Sequence, residues 1–160
     1  MGTDDFESVY EINQESVPQV FDLDAGEFSL LLELCEYSKV AEIDSEVAGY
    51  LFVLGKGLKY DGDEYNWFCQ NLAEDFLYID QVAIAEKWKG MGCGTQLYKD
   101  LENYAVRNRI NMLACEINYQ PLNEVSMAFH RKSGFRELTR LEARDTIVSL
   151  QVKRDLHGSA

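Results

Sequence analysis

The sequence predicts a mixed α/β domain in which strands, helices and hairpins interleave along one chain. Three observations carry that expectation. The run Phe76 to Ala85 is apolar apart from Asp80 and Gln81, as suits a central strand covered on both faces. A glycine-rich turn, Lys89 to Gly94, leads from that run into a segment with Leu97, Leu101, Tyr104 and Ala105 on one helical stripe. Earlier in the chain, Asp44-Ser45-Glu46 joins two further apolar runs as a tight, antiparallel hairpin would.

Taken in order, Ser8 to Asn13 alternates and reads as an opening strand. Asp24 can cap a helix that continues to about Tyr37. Glu27 completes a capping-box pattern there, and Phe28, Leu31, Leu32 and Cys35 recur at helical spacing. Lys39 to Ile43 and Val47 to Leu54 are the strands of the hairpin. Gly55 to Tyr65 reads as a polar loop, followed by a short aromatic helix near Asn66 to Ala73. Beyond the central strand, a helix is expected from Gly94 to about Asn108 and a strand over Met112 to Ile117. Asn123 to Lys132 should be a helix stopped by Gly134 in a left-handed conformation. Gly134 to Leu141 and Asp145 to Val152 close the chain as two strands, the last of seven. No repeat, low-complexity tract or Pro/Ser-rich linker intervenes, so residues 1–160 read as a single domain.

Composition bounds the function. With 160 residues, 46% of them hydrophobic and 27% charged, the chain falls in the ordinary soluble globular class. No apolar run approaches the roughly 18 residues of a membrane span, and the acidic start does not resemble a secretory leader. The expectation is a cytoplasmic protein with no membrane partner. Cys35, Cys69, Cys93 and Cys115 form no C-x-x-C pair and have no neighbouring histidine, which points to reduced thiols and no metal site. The net charge is -13, unevenly spread: residues 1–80 carry 19 Asp and Glu against 3 Lys, residues 81–160 carry 9 against 12 Lys and Arg. Nucleic acid is an unfavourable partner for such a chain. The asymmetry suits an anionic ligand on the C-terminal half and a cationic one facing the N-terminal half, although acidity also confers solubility.

The anionic ligand has an obvious seat. In Val82-Ala83-Ile84-Ala85-Glu86-Lys87-Trp88-Lys89-Gly90-Met91-Gly92-Cys93-Gly94, a buried strand feeds a helix through a glycine-rich loop. First-turn N–H groups of a helix lack internal acceptors and carry partial positive charge, and glycines let phosphates approach the backbone. Lys87 and Lys89 add charge. A Walker turn would need Lys-Ser or Lys-Thr after the glycines, which is absent. A dinucleotide fingerprint would need a third glycine where Leu97 stands, although Glu116 lies at a suitable distance for a ribose acid, so that alternative stays open.

Lys89 to Gly94 resembles the R/Q-x-x-G-x-G/A coenzyme A motif of the GCN5-related N-acetyltransferase (GNAT) superfamily, with Lys in place of Arg or Gln. Asn123-Glu-Val-Ser126-Met-Ala-Phe129-His130-Arg-Lys-Ser-Gly134-Phe135 resembles its second hallmark, N-x-x-[AS]-x-x-[FLY]-Y-x-x-x-G-F, with His130 where tyrosine is usual. The resemblance implies a mixed, mostly antiparallel sheet of about seven strands with helices on both faces. Two central parallel strands, Phe76–Ala85 and Met112–Ile117, would splay to admit acetyl-coenzyme A. Val82, Ala83 and Ile84 would run beside its pantetheine arm, and Lys89, Gly90, Met91, Gly92, Cys93, Gly94 and Thr95 would hold its pyrophosphate. Asn123, Ser126 and Phe129 would contact the cofactor from the second hallmark.

Acyl transfer to an amine needs a neutral nucleophile, a polarised thioester carbonyl and an exit for the thiolate. A strand N–H at Val82 or Ile84 can polarise the carbonyl. The acceptor ammonium titrates near about 10, so a base must take its proton. Asp80 is the first candidate because it interrupts an apolar strand, and a structural role holding a loop suits it equally; Tyr78 and Glu116 follow. His130 can protonate the thiolate or pack beside the cofactor. The acceptor pocket is expected from the N-terminal helices and the Gly55–Asp75 loop, where Tyr60, Tyr65, Trp67 and Phe68, among Asp61, Asp63 and Glu64, suit a cation through cation–π contact and charge pairing. The acceptor is thus expected to be a small molecule or peptide amine, with the enzyme a monomer or homodimer. A coenzyme A-binding sensor without catalysis is the alternative from another class.

Overall fold

The opening segment departs from its expected strand. In the computed structural model, which describes residues 5–143 and 145–156, Phe6–Glu15 is a helix, α1. Its buried residues are Val9, Ile12 and Asn13, and a spacing of three and four brings side chains onto one face only if the backbone coils. Among the described residues there are therefore six strands where seven were expected. The other elements keep their expected type and order with some ends moved: α2 (Ala25–Leu34), β1 (Tyr37–Ile43), β2 (Glu46–Gly55), α3 (Asp63–Asn71), β3 (Leu77–Ile84), α4 (Cys93–Arg107), β4 (Met112–Gln120), α5 (Glu124–Lys132), β5 (Arg136–Ala143) and β6 (Thr146–Arg154). α2 stops before Tyr37, which opens β1 instead, α3 begins at Asp63 inside the expected loop, and β4 runs past Ile117 to Gln120. The strands hydrogen-bond in the order β1-β2-β3-β4-β6-β5, a mixed sheet. No helix among the described residues is long and apolar enough to cross a membrane.

Contacts divide the chain into two compact units. One runs to Leu54 and takes in Asp80–Asn103; the other holds Gly55–Ile79 and the chain from Tyr104 onward. In the first unit, Asp24 caps α2 through the full capping box: Glu27 N–H donates to Asp24 Oδ1 at 2.9 Å and Asp24 N–H donates to Glu27 Oε2 at 3.0 Å. α2 then presents Phe28, fully buried, to the rings of Phe6, Tyr10, Tyr50 and Phe52, with centroids 5.1 to 5.9 Å away. β1 and β2 pair antiparallel through a turn in which Asp44 and Ser45 both adopt positive φ (52° and 65°), the conformation a two-residue hairpin needs. From Ala48 onward β2 is buried on both faces. Gly49 sits so close to the next strand that a Cβ there would lie 2.7 Å from the Ala83 carbonyl oxygen and 2.4 Å from Ile84 Cδ1.

In the second unit, β3 begins parallel to β4, with Leu77, Tyr78 and Ile79 opposite Leu113, Ala114 and Cys115. β4 pairs antiparallel with β6, and β6 with β5. Tyr65 and Phe68 of α3 pack edge-on or tilted against Phe76 and Tyr78, with centroids 5.4 to 6.5 Å apart. Lys56 closes the C-terminal end of α3, its ammonium donating to the Leu72, Ala73 and Glu74 carbonyls at 2.8, 2.9 and 3.1 Å. A cation there also offsets the negative end of the helix dipole. α5 starts from Asn123, whose side chain accepts from Ser126 N–H at 3.1 Å, and is followed by Gly134 at φ 95°.

Candidate active site

In the first unit, β3 runs out through a main-chain bond from Ala85 N–H to the Ala48 carbonyl (2.9 Å). A single 3-10 turn, Glu86–Trp88, follows it. Gly90 and Gly92 then adopt φ 76° and 87°, a region that costs an L-residue about 1–2 kcal/mol, and α4 begins at Cys93. A Cβ on either glycine would meet no atom within 4 Å, so the space above the turn is open. The first α4 bond from this turn is Gln96 N–H to the Gly92 carbonyl, 3.0 Å. The N–H groups of Cys93, Gly94 and Thr95 precede it and have no acceptor inside the helix. Met91, 60% exposed, and Thr95 stand at the mouth of the turn, while Cys93 turns inward and is buried. Open space beside two left-handed glycines at a helix N-terminus fits a diphosphate.

The cations beside it are engaged. Lys87 pairs with Glu46 and rests over the Trp88 ring at 5.2 Å; Lys89 pairs with Glu86 at 2.5 Å. Along β3, Asp80, Val82 and Ile84 are half-buried and alternate with buried Gln81 and Ala83. Gln81 belongs to a buried polar triad that sequence reasoning missed. Its Oε1 accepts from the Tyr50 hydroxyl at 2.7 Å and from Asn13 Nδ2 at 3.0 Å. Burial pushes the Tyr50 hydroxyl pKa up, which keeps it a donor. The signal in the sequence was a second polar residue in a run otherwise built for a core.

In the second unit, the Tyr78 hydroxyl, 2% exposed, donates to Glu116 Oε2. The parallel register places Ala114 opposite Tyr78 and sets Glu116 two residues further along β4. His130 is 3% exposed, between the rings of Phe129 and Phe135. Its Nδ1 lies 2.8 Å from the Ser126 carbonyl, which can only accept, so Nδ1 carries the proton and Nε2 is the acceptor nitrogen of the ring. Burial lowers its pKa, and the bond to Ser126 offsets this only in part, so the ring is neutral at neutral pH. Asn123, Ser126 and Phe129 are half-buried on or beside α5, the Asn123 side chain already engaged as the cap. Of the aromatics expected to meet an acceptor, Tyr65 and Phe68 are fully buried and Tyr60 and Trp67 half-buried. Tyr65 donates its hydroxyl to the Gly55 carbonyl at 2.6 Å and accepts from Leu58 N–H at 2.9 Å, so it shapes the loop.

The acetyltransferase (GNAT) family model matches residues 6–135. The chain belongs to that family. As a GNAT member it is an N-acetyltransferase by family, which displaces the dinucleotide reading of the glycine turn. No curated protein matches the sequence. Among solved structures, the chain is similar to the ribosomal-protein-S18-alanine N-acetyltransferase of Escherichia coli (14% identity, TM-score 0.73, covering 97% of this chain and 90% of that one). It is also similar to the ribosomal-protein-alanine N-acetyltransferase of Brucella melitensis (20% identity, TM-score 0.73, 96% of each chain). A third likeness is to yncA of Salmonella typhimurium, solved with its cofactor acetyl-CoA (18% identity, TM-score 0.70, 100% and 94%). At these identities the likeness speaks for the fold, and it agrees with the six-stranded mixed sheet.

Proposed function

We propose that this chain is a single N-acetyltransferase domain that moves the acetyl group of acetyl-coenzyme A onto a primary amine of a peptide or small molecule, by direct transfer in a ternary complex. The observation that carries the donor assignment is the pair of left-handed glycines opening onto the N-terminus of α4. Main-chain groups from Gly90 to Gly94 and the Thr95 N–H and hydroxyl would hold the diphosphate. Lys89 would turn from Glu86 toward it. Main-chain groups of Val82, Ala83 and Ile84 would steady the pantetheine arm, a Val82 or Ile84 N–H polarising the carbonyl. Asn123, Ser126 and Phe129 would border the cofactor from α5. When bound, the donor supplies an activated acetyl thioester.

The proton work falls best to Tyr78 and Glu116. A carboxylate already fixed by a donated hydrogen bond is pre-oriented, so Glu116 takes the proton of the incoming ammonium and Tyr78 holds Glu116 in place. The free amine nitrogen then bonds to the acetyl carbon as the carbon–sulfur bond breaks; the sulfur leaves with the bonding electrons, and the surplus proton of the nitrogen passes to the thiolate, giving an amide and a free thiol. A thiolate titrating near about 8.5 needs little help to leave. His130, neutral and anchored to its own helix, suits a hydrogen-bond acceptor through Nε2 better than a proton donor. Asp80 is the reserve base. Tyr60 and Trp67, only half-buried, can offer faces to a cationic acceptor, while Tyr65 and Phe68 form the wall behind Tyr78. The test is calorimetric binding of coenzyme A and of NAD, with thiol release from acetyl-coenzyme A measured across peptides with free N-termini and small amines. Coenzyme A binding with amine-dependent release is expected. Binding without release from any amine would leave only a coenzyme A sensor, and absence of binding would remove the donor.

A further inference from the structure

The acidity at the start of the chain surrounds an apolar helix face to which the proposed transfer assigns no role. Residues 1–38 contain ten Asp and Glu and no Lys, Arg or His. Within that stretch α2 shows two apolar faces. Phe28 and Leu31 are buried, but Leu30 is 62% exposed and Leu34 39% exposed. Positions 30 and 34 lie one turn apart and share the outward face. Phe21, in the link between α1 and α2, is 42% exposed. Asp22, Asp24, Glu27, Glu33 and Glu36 are all exposed around these positions. A single exposed leucine is ordinary, whereas two on one ten-residue helix, set among carboxylates without one cation, have the apolar centre and charged rim of a contact surface.

We propose that the outer face of α2 docks a cationic amphipathic segment of another protein. The charge selects the partner. Nucleic acid and anionic lipid both bind through Lys and Arg, which the stretch lacks altogether. A two-fold dimer through the same face would oppose carboxylates to carboxylates. A helix carrying leucines on one side and lysines or arginines on the other answers both features: its leucines cover Leu30 and Leu34, and its cations steer it in and fix its register.

The experiment titrates the isotope-labelled full chain with a synthetic helix of leucines and lysines, following backbone amide shifts. Controls are a peptide of equal charge with serine for leucine, and the variant Leu30→Ala/Leu34→Ala, whose alanines preserve helix propensity. Shifts confined to α2 and its flanks are expected. Affinity should drop about tenfold or more on removing either set of leucines, and should weaken as salt rises. Equal binding by the double variant or by the serine peptide, shifts centred elsewhere, or no binding at millimolar peptide would each overturn the proposal. So would a dimer in sedimentation that the same double variant dissociates, because the face would then belong to a second copy.

Discussion

The turn from Gly90 to Gly92 and the hydrogen bond from Tyr78 to Glu116 hold their chemistry in different ways. The turn does so with main-chain atoms close in sequence, set by two positive φ angles and the start of one helix. The pair does so with two side chains 38 residues apart, brought together by a parallel strand register. A site made of backbone tolerates many side chains but few changes of φ. A site made of side chains depends on the chemistry of each one and on the fold that joins them. Binding and proton transfer should therefore separate cleanly under mutation.

The largest effect should come from Glu116→Gln, which keeps an acceptor for Tyr78 but removes the carboxylate proposed to accept the proton. We expect kcat to fall about 10²-fold or more with coenzyme A affinity nearly unchanged, read by steady-state kinetics beside calorimetry. An unaltered kcat would move the base to Asp80. The reciprocal change is Gly92→Ala. Its methyl meets no protein atom, so the fold should survive, yet a left-handed alanine costs about 1–2 kcal/mol. Coenzyme A affinity should fall about tenfold, and undiminished binding would show that the turn's main-chain geometry is not what grips the donor.

A smaller effect concerns His130. Its folded pKa lies below the usual value near about 6.5, so between the two the unfolded chain binds more protons and stability falls as pH drops below that value. Replacing the ring in His130→Phe should make denaturant-measured stability less sensitive to pH between about 5 and 7; an unchanged slope would assign the acid lability in that window to another group. Smallest of all, Glu86→Gln should release Lys89 toward the donor and raise coenzyme A affinity about two- to fivefold, since a pair with side chains 59% and 82% exposed is worth little. A weaker complex would mean that Glu86 positions Lys89 instead of restraining it.

The same contrast explains what could be read in advance. Local signals were legible: the Asp24–Glu27 capping box, the Asp44–Ser45 turn and the glycine turn each depend on residues within a few positions of one another. Ser8 to Asn13 misled because six residues with Val9, Tyr10 and Ile12 satisfy a two-residue and a helical period nearly equally; burial of Val9 with Ile12 decides for the helix. Tyr65 and Phe68 looked like acceptor contacts because composition cannot tell a core ring from a surface one, and only β3 packing against α3 buries them. Glu116 was a weak candidate for the same reason, since its partner is assigned by strand register. The triad of Asn13, Tyr50 and Gln81 is spread over three elements, and only Gln81, polar inside an apolar run, hints at it locally.

Gly49 sets a tolerance on the neighbouring strand. The missing methyl lets β2 lie against the Ala83 carbonyl and Ile84, so the height at which those residues ride is fixed from the neighbouring strand. Lifting β3 by even part of a carbon's width would displace the main-chain groups assigned to the pantetheine arm. Variation at residue 49 should thus be felt as altered donor grip before it is felt as unfolding.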